Sequence, residues 1–102
     1  MLRCVASLMA IREDPELHEV RALAALIPSF AGLHVVEIGC GDGRLTRRYA
    51  ADTASVLAID PDGSAIAKLA GRLANVDARA LSIEALSLPP RSVDVVLFAW
   101  SL

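Results

Sequence analysis

The feature that most restricts the fold of this chain is the run Val35-Val36-Glu37-Ile38-Gly39-Cys40-Gly41-Asp42-Gly43. The β-branched stretch from Leu33 to Ile38 predicts a short buried strand. Three glycines at alternate positions then force a sharp bend, after which Arg44 to about Ala51 predicts a helix. A strand that turns through glycines into a helix lets a ligand approach the backbone closely and aims helix-start N–H groups at it.

The same alternation continues along the chain. Ser55 to Ile59 predicts a second strand, closed by Asp60-Pro61-Asp62-Gly63, and Ile66, Leu69, Ala70 and Leu73 form one apolar helical stripe. Ala78 to Ile83 predicts a third strand, Pro89-Pro90 a loop, and Val93 to Phe98 a fourth strand, apolar almost throughout as in a sheet covered on both faces. Ahead of the glycine turn, Asp14-Pro15-Glu16 marks a helix start, and Leu17, Val20, Leu23, Ala24 and Ile27 carry it to Pro28. Residues 1–13 are read as an N-terminal extension and 14–102 as one Rossmann-like half: α/β, three layers, with a parallel sheet. The sheet is expected to stop after its fourth strand, leaving a hydrophobic edge that a natural domain rarely leaves bare.

Composition narrows the function classes. The 102 residues are 55% hydrophobic with a formal net charge of −2, so a core is well supplied and no basic stripe exists to neutralise phosphates. Nucleic-acid binding is not expected, and no apolar run is long enough for a membrane span. The start of the chain lacks the long apolar stretch and clear cleavage site of a signal peptide. Cys4 and Cys40 are far apart, without a CxxC pair, and only His18 and His34 accompany them; this is neither a metal framework nor a disulfide scaffold. Unpaired thiols point to the cytoplasm.

Two details separate the glycine turn from a dinucleotide site. The dinucleotide pattern has its third glycine where this chain has Arg44, and Gly43 comes one residue earlier. Glu37 stands before the first glycine, where it would repel a pyrophosphate and attract an ammonium group. An acidic residue followed by GxGxG after a hydrophobic strand resembles the first motif of class I S-adenosylmethionine (SAM) dependent methyltransferases. The likeness covers roughly Asp14 to Leu102. It implies that Glu37 helps hold the methionine amino end of SAM, that Gly39, Cys40, Gly41 and Gly43 pass the backbone under the cofactor, and that Asp60 binds the ribose while Pro61 lines the adenine side. A carboxylate at the end of the second strand can accept both ribose hydroxyl protons.

The run Ser82-Ile83-Glu84-Ala85-Leu86-Ser87-Leu88-Pro89, followed by Val93-Asp94-Val95-Val96, is similar to the branch of ubiquinone- and menaquinone-biosynthesis methyltransferases. Aligned on Asp94, Ser82 stands where that branch has an adenine-contacting Asp. The exchange removes a charge and would weaken binding by about 1 kcal/mol. Ile83 would offer its backbone N–H to adenine, and the segment Phe98-Ala99-Trp100-Ser101 would pass beside the cofactor, with Ala99 in contact. The resemblance implies methyl transfer to a small-molecule acceptor, with the acceptor pocket built largely outside this segment, so no catalytic residue is assigned.

Structural roles compete with several of these. Glu37 can cap the loop's own N–H groups, the glycines can serve a tight turn without a ligand, and Asp60 before a proline is a common turn-former. Ser82 can be an exposed turn residue, Cys40 a small loop residue and Trp100 a core or interface residue. Arg44, Arg47 and Arg48 form a basic helical face. Two further readings are an interaction module or fragment completing its sheet with a partner, self-associating through the exposed fourth strand, and a nucleotide-cofactor oxidoreductase, which Arg44 and Glu37 oppose.

Overall fold

The computed structural model describes residues 4–9, 27, 29–88 and 92–100. The helix expected over Asp14 to Ile27, the Pro89-Pro90 loop and Ser101 lie outside the described residues, Ile27 excepted. Five parallel strands form one sheet: β1 (Cys4–Met9), β2 (His34–Ile38), β3 (Ser55–Asp60), β4 (Val76–Ala80) and β5 (Val95–Trp100), in the spatial order β1-β5-β2-β3-β4. Parallel neighbours need crossover connections, and these carry helix α1 (Thr46–Tyr49) and helix α2 (Gly63–Leu69). The architecture is Rossmann-like α/β.

Register puts Val35 beside Val56 and Val95, and Glu37 beside Ala58 and Leu97. That face packs under both helices, where Val35, Val56, Ala58, Val95 and Leu97 meet Leu45, Tyr49, Ile66 and Leu69 in the main core. The other face presents Val36, Ile38 and Ile59, against which Leu81, Leu86, Val93, Val96 and Phe98 pack. Both faces are therefore mainly apolar, as the largely hydrophobic runs of β2, β3 and β5 require, with Glu37 the buried exception.

The structure corrects the expected edge. The stretch read as an N-terminal extension supplies β1, which pairs with β5 from Cys4↔Val95 to Met9↔Trp100. The fourth predicted strand is thus an interior strand, flanked by β1 and β2, and offers no bare edge for self-association. The Cys4–Met9 segment carries no punctuating glycine or proline and little alternation; what makes it a strand is the hydrogen-bonding edge of β5.

Boundaries shift for local reasons. The helix after the glycines is shorter than expected: α1 gives way at Ala50–Asp52 to a 3-10 turn. Helix α2 starts where Asp62 accepts hydrogen bonds from the N–H groups of Ser64 (3.0 Å) and Ala65 (3.2 Å). It ends before Leu73, with Gly71 at φ 74° just beyond its last turn. Strand β4 begins and ends earlier than predicted, so that Ile83 falls in the 3-10 turn Ile83–Ala85. Strand β5 begins two residues later because Asp94 is clamped to the start of β2: its N–H donates to the His34 carbonyl, and its Oδ2 accepts from the His34 N–H, both at 2.8 Å.

Candidate functional site

The glycine turn leaves β2 at its carboxyl end and crosses beneath the ends of β3 and β5. Gly39 has φ 81°, and a Cβ there would overlap the carbonyl oxygen of Ala99 on β5, so only glycine lets the two backbones lie this close. Gly43, at φ 90°, seats the turn against Leu69 of α2, whose Cδ1 would stand 2.5 Å from an added Cβ.

Four N–H groups of this turn are bonded within the protein and so are not aimed at a ligand. Gly39 and Cys40 both donate to the Ile59 carbonyl (2.8 and 3.1 Å), and Gly43 donates to the Cys40 carbonyl (3.0 Å). Gly41 donates to Oδ2 of Asp60 (2.9 Å). A phosphate cradle needs these donors open. In this chain three of them hold the turn to β3 and the fourth closes the turn on itself.

Glu37 and Asp60 flank the turn and line one cavity of about 440 Å³, together with Gly39, Cys40, Gly41, Asp42, Arg44, Leu45, Pro61 and Ala99. Glu37 is fully buried, and its Oε1 accepts hydrogen bonds from Thr46 Oγ1 (2.8 Å) and Tyr49 Oη (2.5 Å). Asp60 ends β3 and accepts from two N–H groups, Gly41 on Oδ2 and Asp62 on Oδ1 (2.8 Å). The turn-forming role weighed for Asp60 is therefore present, and the residue faces the cavity as well.

A second, smaller cavity of about 200 Å³ adjoins the first, sharing Gly39 and Pro61. Its walls are Ile38, Ile59, Leu81, Ser82, Ile83 and Glu84. Ser82 precedes the 3-10 turn without capping it, and Ile83 is half exposed. Of the residues singled out from sequence, Glu37, Gly39, Cys40, Gly41, Asp60, Pro61 and Ala99 line the larger cavity and Ser82 and Ile83 the smaller. Gly43 lines neither and packs on Leu69.

Sequence reading missed Asp42, Arg44 and Leu45 in the larger cavity, Ile38, Ile59, Leu81 and Glu84 in the smaller, and the two hydroxyls on Glu37. Thr46 and Tyr49 are three apart on a helix and so share a face. That spacing was legible, but which strand residue it faced was not.

The electrostatics of the larger cavity are mainly acidic, with Glu37, Asp42 and Asp60 in its wall beside one cation, Arg44. The Cys40 thiol is pushed up to about 12, first by burial and then by the charges of Glu37 and Asp60, which removes it as a nucleophile. Tyr49 is raised well above its ordinary value, by burial and then by Glu37, and stays a hydrogen-bond donor. No group of three His, Cys, Asp or Glu side chains among the described residues could hold a metal ion. No described helix is long and apolar enough to cross a membrane. The arrangement suits a small ligand that carries a positive charge, a hydroxyl pair and a flat apolar end.

Residues 35–102 match the profile of a family described as methyltransferase domain. A probable S-adenosylmethionine-dependent methyltransferase of Mycobacterium tuberculosis is 35% identical over 72 residues, covering 71% of this chain and 26% of the relative. A ubiquinone biosynthesis O-methyltransferase of Sinorhizobium fredii is 41% identical over 70 residues, covering 65% of this chain and 28% of the relative. The chain thus spans about a quarter of the length of these curated relatives.

Among solved structures, an S-adenosylmethionine dependent methyltransferase of Mesorhizobium loti superposes with a TM-score of 0.68 at 29% identity, over 78% of this chain and 38% of that one. Phosphoethanolamine N-methyltransferase 1 of Haemonchus contortus, solved with phosphoethanolamine and S-adenosylhomocysteine, gives a TM-score of 0.75 at 28% identity, over 86% of this chain and 20% of that one. With its glycine turn, its two carboxylates and two-thirds of its length inside the family profile, the chain belongs to the methyltransferase-domain family.

Proposed function

We propose that this chain is the cofactor-binding part of a SAM-dependent methyltransferase acting on a small-molecule acceptor. The observation that carries the reading is that Glu37 and Asp60, from two different strands, line one cavity at the glycine turn. Glu37 would take the cofactor's ammonium group and Asp60 its ribose hydroxyls. Gly39, Cys40 and Gly41 would form the floor under the chain between them, with Ala99 as the wall from β5. Pro61, shared by both cavities, would turn the ligand into the smaller one, where Ser82 and the Ile83 N–H would meet the adenine edge and Ile38, Ile59 and Leu81 its apolar face.

The donor set supports a sulfonium nucleoside over a dinucleotide. The N–H groups of Gly39, Cys40, Gly41 and Gly43 are bonded internally, and acids line the wall where a pyrophosphate would need donors. When bound, SAM supplies a methyl group already activated by the sulfonium charge. The chain's own task is to orient that group and keep it away from bulk water, an orientation effect worth roughly 7–11 kcal/mol in favourable cases. The small-molecule acceptor is supported by the O- and N-methyltransferases named above and by the net charge of −2, which offers no attraction to nucleic acid. A cytoplasmic site of action is the matching proposal, resting on the thiols Cys4 and Cys40 and the absence of disulfide spacing.

Isothermal titration with S-adenosylhomocysteine tests the reading. Binding is expected for the unmodified chain, and Glu37→Gln or Asp60→Asn should each weaken it about tenfold or more, the worth of a hydrogen bond to a charged group. No heat at millimolar ligand overturns the assignment.

A further inference from the structure

Glu37 sits in an unusual place for a ligand-binding carboxylate. It lies on β2, the central strand of the sheet, with Ala58 and Leu97 as its lateral neighbours, and is fully buried. Among the described residues its carboxylate is held by hydrogen bonds from side-chain hydroxyls. Two converge on one oxygen, Oε1, and both donors come from α1, the helix that the glycine turn launches. Thr46 is itself fully buried and Tyr49 nearly so. The Tyr49 ring is fixed from behind by Phe30, stacked at 4.8 Å with an interplanar angle of 22°. The hydroxyl is therefore aimed by packing, and cannot swing to solvent when a ligand arrives.

From this cluster we infer that Thr46 and Tyr49 are positioning residues that fix the Glu37 carboxylate at the cavity wall, so that the site discriminates a ligand bearing an ammonium group from the same nucleoside without one. The inference rests on the cofactor reading above. A buried carboxylate costs several kcal/mol of desolvation unless its oxygens are satisfied. Two hydroxyl donors on one oxygen stabilise the charged form and lock its rotamer, which a third contact to an incoming cation would otherwise have to do. Without them, the carboxylate turns from the cavity wall, and the ammonium end of the ligand loses its partner. The nucleoside end, bound by Asp60 and the second cavity, touches neither hydroxyl.

Two ligands separate this role from simple stabilisation. S-adenosylhomocysteine carries the amino-acid end, and 5′-methylthioadenosine has the nucleoside without it. In Tyr49→Phe the ring and its stack on Phe30 remain, so the core is kept. S-adenosylhomocysteine should bind about tenfold more weakly, and 5′-methylthioadenosine within twofold of the unmodified chain. Thr46→Val should act in the same direction, and Thr46→Ser should restore binding. Unchanged preference between the two ligands in both Tyr49→Phe and Thr46→Val overturns the inference while leaving the cofactor reading intact, as does an equal loss of both ligands. Failure of the unmodified chain to bind either ligand overturns both.

Discussion

Gly39→Ala gives the strictest test of how the site is built, because two separate costs can be worked from the structure. At φ 81° the backbone is in the left-handed region, where a Cβ costs roughly 1–2 kcal/mol. The new methyl would also overlap the Ala99 carbonyl oxygen, which is backbone of β5 and cannot rotate away. Relieving that overlap means displacing a strand held on both sides, a strain of about 1–3 kcal/mol. Together these make about 2–5 kcal/mol, a large share of the roughly 5–15 kcal/mol typical of a native domain. Gly41→Ala is the matched control: at φ 57° it pays only the left-handed cost, about 1 kcal/mol, since nothing lies within 4 Å of the added Cβ. Gly43→Ala should fall between, because its methyl would meet the movable end of the Leu69 side chain. Urea unfolding followed by circular dichroism measures all three. If Gly39→Ala lies within about 0.5 kcal/mol of Gly41→Ala, the close approach of β5 to the turn is not what the glycine serves, and the reasoning fails.

Three further outcomes are expected. Cys40, at about 12, leaves roughly one thiolate in ten thousand at pH 8, so it should resist iodoacetamide in the folded chain and react once urea is added; rapid labelling without urea would contradict its burial. Asn75→Ala removes an amide whose Nδ2 reaches the carbonyls of Ala50 (2.6 Å) and Thr53 (3.1 Å), and should cost about 1–3 kcal/mol by urea unfolding. Asp62→Ala should lower the melting temperature at pH 7. Hydrogen bonds from Ser64 and then Ala65 hold the Asp62 carboxyl below its ordinary 3.8, so its stabilisation is present above that value and is lost as pH falls through the lower, folded one. Melting curves of Asp62→Ala and the unmodified chain should therefore converge in acid, and a gap that persists unchanged to pH 2 would contradict this.

The strands that were legible in the sequence are those whose residues carry their own signal. Strands β2 and β3 are apolar, β-branched and bounded by Gly or Pro, and both came out nearly where expected. The Cys4–Met9 strand carries no such marks, because an outer strand is specified as much by the partner it pairs with as by its own side chains. Ends were less legible than middles. Helix α2 stops at Leu69 although its apolar stripe continues to Leu73, since Gly71 turns the chain left-handed before the stripe is used up. In the site, residue types at the ends of β2 and β3 could be read directly, because strand ends of a parallel sheet gather at one crevice. The direction of the turn's N–H groups could not, as it depends on Ile59 and Asp60 arriving beneath the loop.

Asp60 shows why a structural and a ligand-binding role need not compete for one side chain. An ionised carboxylate has two oxygens and about four lone-pair sites. Gly41 uses one site on Oδ2 and Asp62 one on Oδ1, which leaves one on each oxygen. Two acceptor sites on two oxygens match a vicinal diol, the pattern proposed for the ribose. The bonds already made also fix the plane of the carboxylate, so a diol arriving in the cavity meets acceptors in place instead of ordering them. The same bond that steadies Asp60 closes the glycine turn at Gly41. Asp60→Ala should therefore loosen the loop and weaken the ligand together, whereas Asp60→Asn, which keeps an acceptor for Gly41, should weaken S-adenosylhomocysteine with a smaller change in unfolding free energy. If Asp60→Asn folds as stably as the unmodified chain and binds S-adenosylhomocysteine with unchanged affinity, the carboxylate serves the turn alone, and the case for its second role is lost.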